Sequence, residues 1–169
     1  MFFSCVNKEE EIKDFFADRN LPIGHSENVY HVYKDSGRIS SKMFAPLFLD
    51  FSNRKNHPYS EFPNGIEIVS FQNGGLDSIT IKGDYAINYT DTFLSHLVGN
   101  VVVVNHKDGS VLETEEIYWD DKSNYFFTDT DFKMTQEESI LYGEGFESNQ
   151  DLSKRRIFRP YGSGPLEDK

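Results

Sequence analysis

The chain has 169 residues and a formal net charge of −11. It is long enough for one domain with a buried core, and too acidic for a nucleic-acid partner or simple adhesion to an anionic membrane. Its single cysteine, Cys5, excludes an internal disulfide, and no run approaches the ~18 apolar residues that would span a bilayer.

Residues 1–27 form an anchor or tether segment. Met1-Phe2-Phe3 is too short for the hydrophobic region of a secretory signal, whereas Phe2-Phe3-Ser4-Cys5 resembles the last residues of a bacterial lipoprotein signal. Cys5 is then either an acylated cysteine or an ordinary thiol near a chain end. Glu9-Glu10-Glu11 leads into Ile12, Phe15 and Phe16, whose i, i+3, i+4 spacing predicts a short helix. Asn20-Leu21-Pro22-Ile23-Gly24 ends it.

From Val29 the period becomes two, and Asp35-Ser36-Gly37 turns the chain into a strand from Arg38 towards Phe44. Residues 52–60 read as a polar loop and Phe62-Pro63-Asn64-Gly65 as a turn. Short strands follow over residues 66–68, 79–81, 86–89, 93–97, 101–104, 111–119, 125–128, 132–135, 140–146 and 157–158. Asp121–Asn124 is a loop, and Asp129-Thr130-Asp131 is a solvated hairpin end or, less readily, a calcium loop, since it lacks the central Gly and late Glu. Fifteen Phe and nine Tyr suit half-buried pleated surfaces. This succession predicts an all-β, antiparallel sandwich, roll or barrel.

One pattern recurs: an apolar residue, a small one two places on, and an apolar one three further. It stands at Ile39-x-Ser41-x-x-Phe44, Ile81-x-Gly83-x-x-Ala86, Leu112-x-Thr114-x-x-Ile117 and Leu141-x-Gly143-x-x-Phe146. A step of two followed by a step of three slips the strand alternation by one residue, as a β-bulge does, and returns later side chains to the same face. The spacing therefore predicts repeated bulged hairpins with one continuous apolar face. That face carries Phe44, Ile66, Ile68, Ile81, Ala86, Val101, Val103, Leu112, Ile117, Trp119, Phe126, Phe132, Met134 and Phe146; Glu67, Lys82, Asp84, Glu113, Asp131 and Lys133 lie on the other. An ordinary hydrophobic core and a binding surface both fit such a face.

Nothing in the chain points to catalysis. The histidines (His25, His31, His57, His96, His106) show no helical i, i+4 metal spacing and none lies near the cysteine. There is no nucleophile elbow, phosphate loop or dinucleotide fingerprint. No cofactor and no metal is expected.

The run Gly99-Asn100-Val101-Val102-Val103-Val104, then Asp108-Gly109, Leu112-Glu113-Thr114 and Ile117-Tyr118-Trp119-Asp120, resembles the LptC family of lipopolysaccharide-export components, related to LptA and the amino-terminal domain of LptD. Phe62–Ile68, Gly83–Ala86 and Leu141–Phe146 fit the same order, over roughly residues 28–160. The resemblance implies an open, twisted β-jellyroll over residues 28–162, with 163–169 a flexible tail. It implies that the apolar face is a groove for the acyl chains of lipid A, and that the protein is a periplasmic non-enzyme powered by a separate transporter.

It also implies two pairing edges. Val29, Tyr30, His31, Val32 and Tyr33 would face the periplasmic domains of an inner-membrane ABC transporter. Arg156, Ile157, Phe158 and Arg159 would receive an LptA-like bridge protein, with Lys154-Arg155-Arg156 either steering that partner or balancing local charge. The family pattern usually opens with a transmembrane helix; here an acylated Cys5 would hold the roll at the inner membrane. A non-conducting adaptor acting only through its edges, and a sugar-binding roll using Tyr118 and Tyr125, are the alternatives.

Overall fold

The computed structural model describes Lys13, Phe16, Ala17 and residues 19–165. Cys5, Ile12, Phe15 and the last four residues lie outside the described part. Eleven strands form one antiparallel sheet. They are β1 (Gly24–Asp35), β2 (Arg38–Phe51), β3 (Tyr59–Phe62), β4 (Ile66–Gln72), β5 (Asp77–Gly83), β6 (Tyr85–Tyr89), β7 (Leu94–Asn105), β8 (Val111–Asp120), β9 (Tyr125–Gln136), β10 (Ser139–Asn149) and β11 (Arg155–Pro165). Lys13, Phe16 and Ala17 are helical, and Asn73–Gly75 makes a single 3-10 turn.

Two long strands organise the topology. β2 pairs with β4 through Ser41–Phe44 and with β3 through Leu49–Phe51. β7 pairs with β6 through Leu94–Val98 and with β5 through Val102–Asn105. The short ladders β4–β5 and β3–β6 thus lie end to end between β2 and β7, and β8 to β11 continue the sheet beyond them. Each long strand bends where one ladder gives way to the other, so the sheet folds into two leaves around one core. That core joins Ile79, Ile81 and Val103 from one leaf to Phe62, Leu97 and Phe126 from the other. This is a jellyroll, as expected.

The bend is built from the recurring slip. Inward residues step by three between Thr114 and Ile117 on β8, between Gly143 and Phe146 on β10, and between Gly83 and Ala86 where β5 passes into β6. They step by four on the intervening β7 (Leu97 to Val101) and β9 (Thr128 to Phe132). The β7–β8, β8–β9 and β9–β10 registers all shift at these positions. Adjacent strands of unequal corner length let the sheet turn while its apolar face stays inward. Gly99 and Asn100 take left-handed backbone (φ +80° and +46°) at the β7 corner. There the Asp84 amide donates to the Gly99 carbonyl at 2.9 Å and Asn100 Nδ2 donates to Asp84 Oδ2 at 2.6 Å. The β8 corner is tied to β9 by Thr114 Oγ1, which donates to the Asp131 carbonyl at 2.8 Å.

The first copy of the pattern is the exception. Phe44 points outward and is 44% exposed, while Met43 and Ala45 are buried beside it. Phe44 stands opposite Tyr30 and Glu67, and Met43 opposite Ile68. The slip comes later, across Pro46 and Leu47, so the true copy is Met43-x-Ala45-x-x-Phe48, with Phe48 packed on the core. Ser41 supplied a small residue at the right distance from the wrong aromatic.

Other boundaries also move. Residues 125–128 and 132–135 are parts of one strand, β9, so Asp129-Thr130-Asp131 is a mid-strand corner and not a hairpin end. Residues 93–97 and 101–104 likewise fall in or beside the single strand β7. β1 begins at Gly24, β3 occupies the end of the expected 52–60 loop, and residues 163–165 pair with Ser139–Leu141 and are not tail.

Candidate functional site

The apolar face lies between the two leaves. Val103, Leu112, Ile117, Phe126 and Phe146 are fully buried there, and Ile66, Ile81, Ala86, Val101, Phe132 and Met134 nearly so. Ile68 and Trp119 are half-buried and pack against this cluster. Its aromatic members interlock: the Trp119 and Phe126 rings meet edge to face with centroids 4.3 Å apart, and two tilted pairs, Phe132 with Phe146 and Phe48 with Phe62, lie at 5.1 and 5.6 Å. Sequence periodicity missed Met43, Ala45, Phe62, Ile79, Leu97 and Leu152, which share the interior. Ile79 and Leu97 fall within the expected strand segments 79–81 and 93–97, where alternation alone is enough to point them inward. Leu152 is in a turn, where no period exists to flag it.

The interior carries no charge. The buried polar residues among those described are Asn53, Asn105, Ser110, Thr114, Thr128 and Ser148, none ionisable. An apolar interior of this kind disfavours ionic groups through the cost of desolvating them. In the state seen here it is filled by its own side chains.

The 52–60 loop does not plug it. Asn53 Nδ2 donates to the Lys13 carbonyl at 3.3 Å, and Arg54 donates to the Ala17 carbonyl and to Asn20 Oδ1, so that loop holds the segment preceding β1. The residue that enters the core from a loop is Leu152, between β10 and β11.

On the outer face His96, Tyr118 and Phe127 form a cross-strand stack, with centroids 4.3 and 5.1 Å apart and interplanar angles of 2° and 10°. Rings stacked face to face hide from solvent the flat surfaces a sugar would need. Tyr118 is instead committed to Glu116, donating to its Oε1 at 2.8 Å, and His96 Nε2 lies 2.6 Å from the same oxygen. The Glu116 bond, followed by burial, pushes the Tyr118 phenol up to about 12, and the same Tyr118 bond draws the Glu116 carboxyl below its ordinary value. A raised phenol favours the fold while protonated, so its contribution is complete below pH ~10 and is lost as pH rises through the folded value. In tyrosine-selective NMR titrations, Glu116→Gln should therefore bring Tyr118 back towards 10. An unmoved titration would show that the carboxylate is not what holds it.

The strands at the two ends of the sheet each have one described neighbour, β2 for β1 and β10 for β11. On β1, Tyr30, His31, Val32 and Tyr33 are exposed, while Val29 turns inward against Ala45. On β11, Arg156, Phe158 and Arg159 are exposed and Ile157 packs on the core opposite Phe146. Part of the basic cluster is already occupied: Arg159 bridges to Glu144 at 3.0 Å, and the Arg156 guanidinium lies 4.8 Å above the Phe158 ring. Unpaired edges of this length are templates for adding a strand from another chain.

A family profile described as lipopolysaccharide-assembly, LptC-related, matches residues 23–158. The chain belongs to that family. No curated protein matches the chain significantly. The LptC-related match runs from the residue before β1 to Phe158 within β11, so it takes in both leaves, every bulged corner and both sheet edges. It places the chain in lipopolysaccharide transport in the cell envelope, in a family of periplasmic transport proteins and not of enzymes. No helix among the described residues is long and apolar enough to cross a membrane.

Proposed function

We propose that this LptC-related chain is a periplasmic segment of the lipopolysaccharide bridge, taking lipid A acyl chains between its two leaves. It receives them from an inner-membrane ABC transporter whose periplasmic domains meet the β1 edge, and passes them to an LptA-like protein added at β11. The observation that carries this reading is the continuous apolar interior, without charge among the described residues, in a sheet that ends on two strands with one described neighbour each. Each methylene withdrawn from water contributes ~0.8 kcal/mol, so several acyl chains can be held without any polar contact inside. The sugar and phosphate parts stay outside.

The filled interior is also what a non-conducting adaptor would have, and the lone tryptophan separates the two. Trp119 packs on the core. Lipid A with brominated acyl chains should quench its fluorescence saturably, because bromine must come close to the indole to do so. Unchanged emission at saturating lipid would leave an adaptor that works through β1 and β11 alone.

Anchoring through an acylated Cys5 is part of the same proposal. Cys5→Ala should move the protein from the membrane fraction to the soluble periplasm and abolish incorporation of labelled fatty acid. Membrane retention without label in the unaltered chain would refute it.

A further inference from the structure

The leaves are closed on the side away from the corners by the β10–β11 connection. Residues 149–154 leave the far end of the second leaf, and from there Gln150 Nε2 donates to Ser70 Oγ on β4 at 2.8 Å. Asn105 Nδ2, at the end of β7, donates to the Asp151 carbonyl at 2.9 Å. Ser70 and Asn105 both belong to the first leaf, so the connection spans the mouth of the roll. Immediately after the tied residues, the Leu152 side chain enters the core, 1% exposed.

We propose that this connection is a latch that must swing off the mouth before acyl chains can enter, with Leu152 holding the place of the cargo. This rests on the reading that the interior takes acyl chains. Two features suit the connection to move as a unit. It is internally braced: Asn149 Nδ2 donates to Ser153 Oγ, the Lys154 amide to Asn149 Oδ1, the Ser153 amide to Asp151 Oδ1 and the Leu152 amide to the Asn149 carbonyl. Its hydrogen bonds to the opposite leaf, in contrast, join neutral groups, which water replaces at little net cost, and the attraction between Asp151 and Lys107 beside them is screened by solvent.

The closed state also carries unrelieved costs at this end. Leu152 holds left-handed backbone (φ +58°), which disfavours a side chain of its kind. Ser110, whose carbonyl accepts from the Asn105 amide, buries an Oγ that finds no partner among the described residues. Opening trades one packed leucine for the cargo's hydrocarbon.

The test bridges the latch to the first leaf in the full chain carrying Cys5→Ser, Ser70→Cys and Gln150→Cys. The glutamine side chain makes the gap too long for a direct disulfide, so a short bis-methanethiosulfonate linker is used and later removed by reduction. Quenching of Trp119 by lipid A with brominated acyl chains is the readout. Bridging should slow it at least tenfold, and reduction should restore it. Equal quenching in the bridged and reduced forms would overturn the latch while leaving acyl binding intact. No quenching in either form would overturn the acyl-binding reading and the latch together.

Discussion

Gly143→Ala should destabilise the protein by up to about 3 kcal/mol, the upper range for forcing atoms into a packed core. For a chain of this size that lowers the melting temperature by roughly 6–12 °C. A Cβ on Gly143 would lie 2.8 and 2.9 Å from Phe132 Cε1 and Cζ and 3.1 Å from the Arg159 carbonyl oxygen. Phe132 is itself nearly fully buried against Phe146, so it has no free direction in which to retreat. The glycine is therefore needed for space, as the small residue that lets a neighbouring aromatic ring lie flat across the corner of β10. Gly164→Ala, in the partner strand of the same hairpin, meets nothing within 4 Å and should be nearly neutral. Equal melting temperatures for the two variants would contradict this account of the corner.

The second large effect separates two phenylalanines that the sequence pattern treats alike. Phe146→Ala removes a fully buried ring from between Thr128 and Ile157, and should cost about 3–5 kcal/mol, or roughly 6–20 °C in melting temperature. Phe44→Ala trims a side chain already 44% exposed on the outer face and should cost about 1 kcal/mol or less. Comparable losses in urea unfolding would mean that Phe44 is inside after all and that the slip on β2 does not fall at Pro46.

That contrast shows how far the sequence could be read. Leu112–Ile117 and Leu141–Phe146 each set a small residue between apolar ones at a two-then-three spacing, and the corners of β8 and β10 stand there. Alternation on both sides of those corners assigned Val101, Val103, Phe126, Phe132 and Met134 to the interior. On β2 the same arithmetic failed because Ser41 and Ala45 are both small and Met43 and Phe44 both apolar. Only pairing with Ile68 and Tyr30, each distant in the chain, decides which faces inward. At the corner of β9, Asp129-Thr130-Asp131 has the composition of a turn, which predicts a break that the strand does not have. In the fold, Thr130 is bonded to Thr114 and Thr128 and keeps the strand continuous. Leu152 was beyond reach for a related reason: its burial depends on where a turn lands across the roll, which local periodicity does not encode.

The central claim is that lipid passes between the leaves, and a photo-crosslinking amino acid in place of Ile117 tests it most directly. Ile117 is fully buried, just beyond the β8 corner, far from either sheet edge in strand order. In living cells the account predicts an adduct with lipopolysaccharide that disappears when the transporter's energy supply is removed. A folded, membrane-localised protein that crosslinks to its neighbours from Tyr30 and Phe158, yet never to lipopolysaccharide from Ile117, would contradict it.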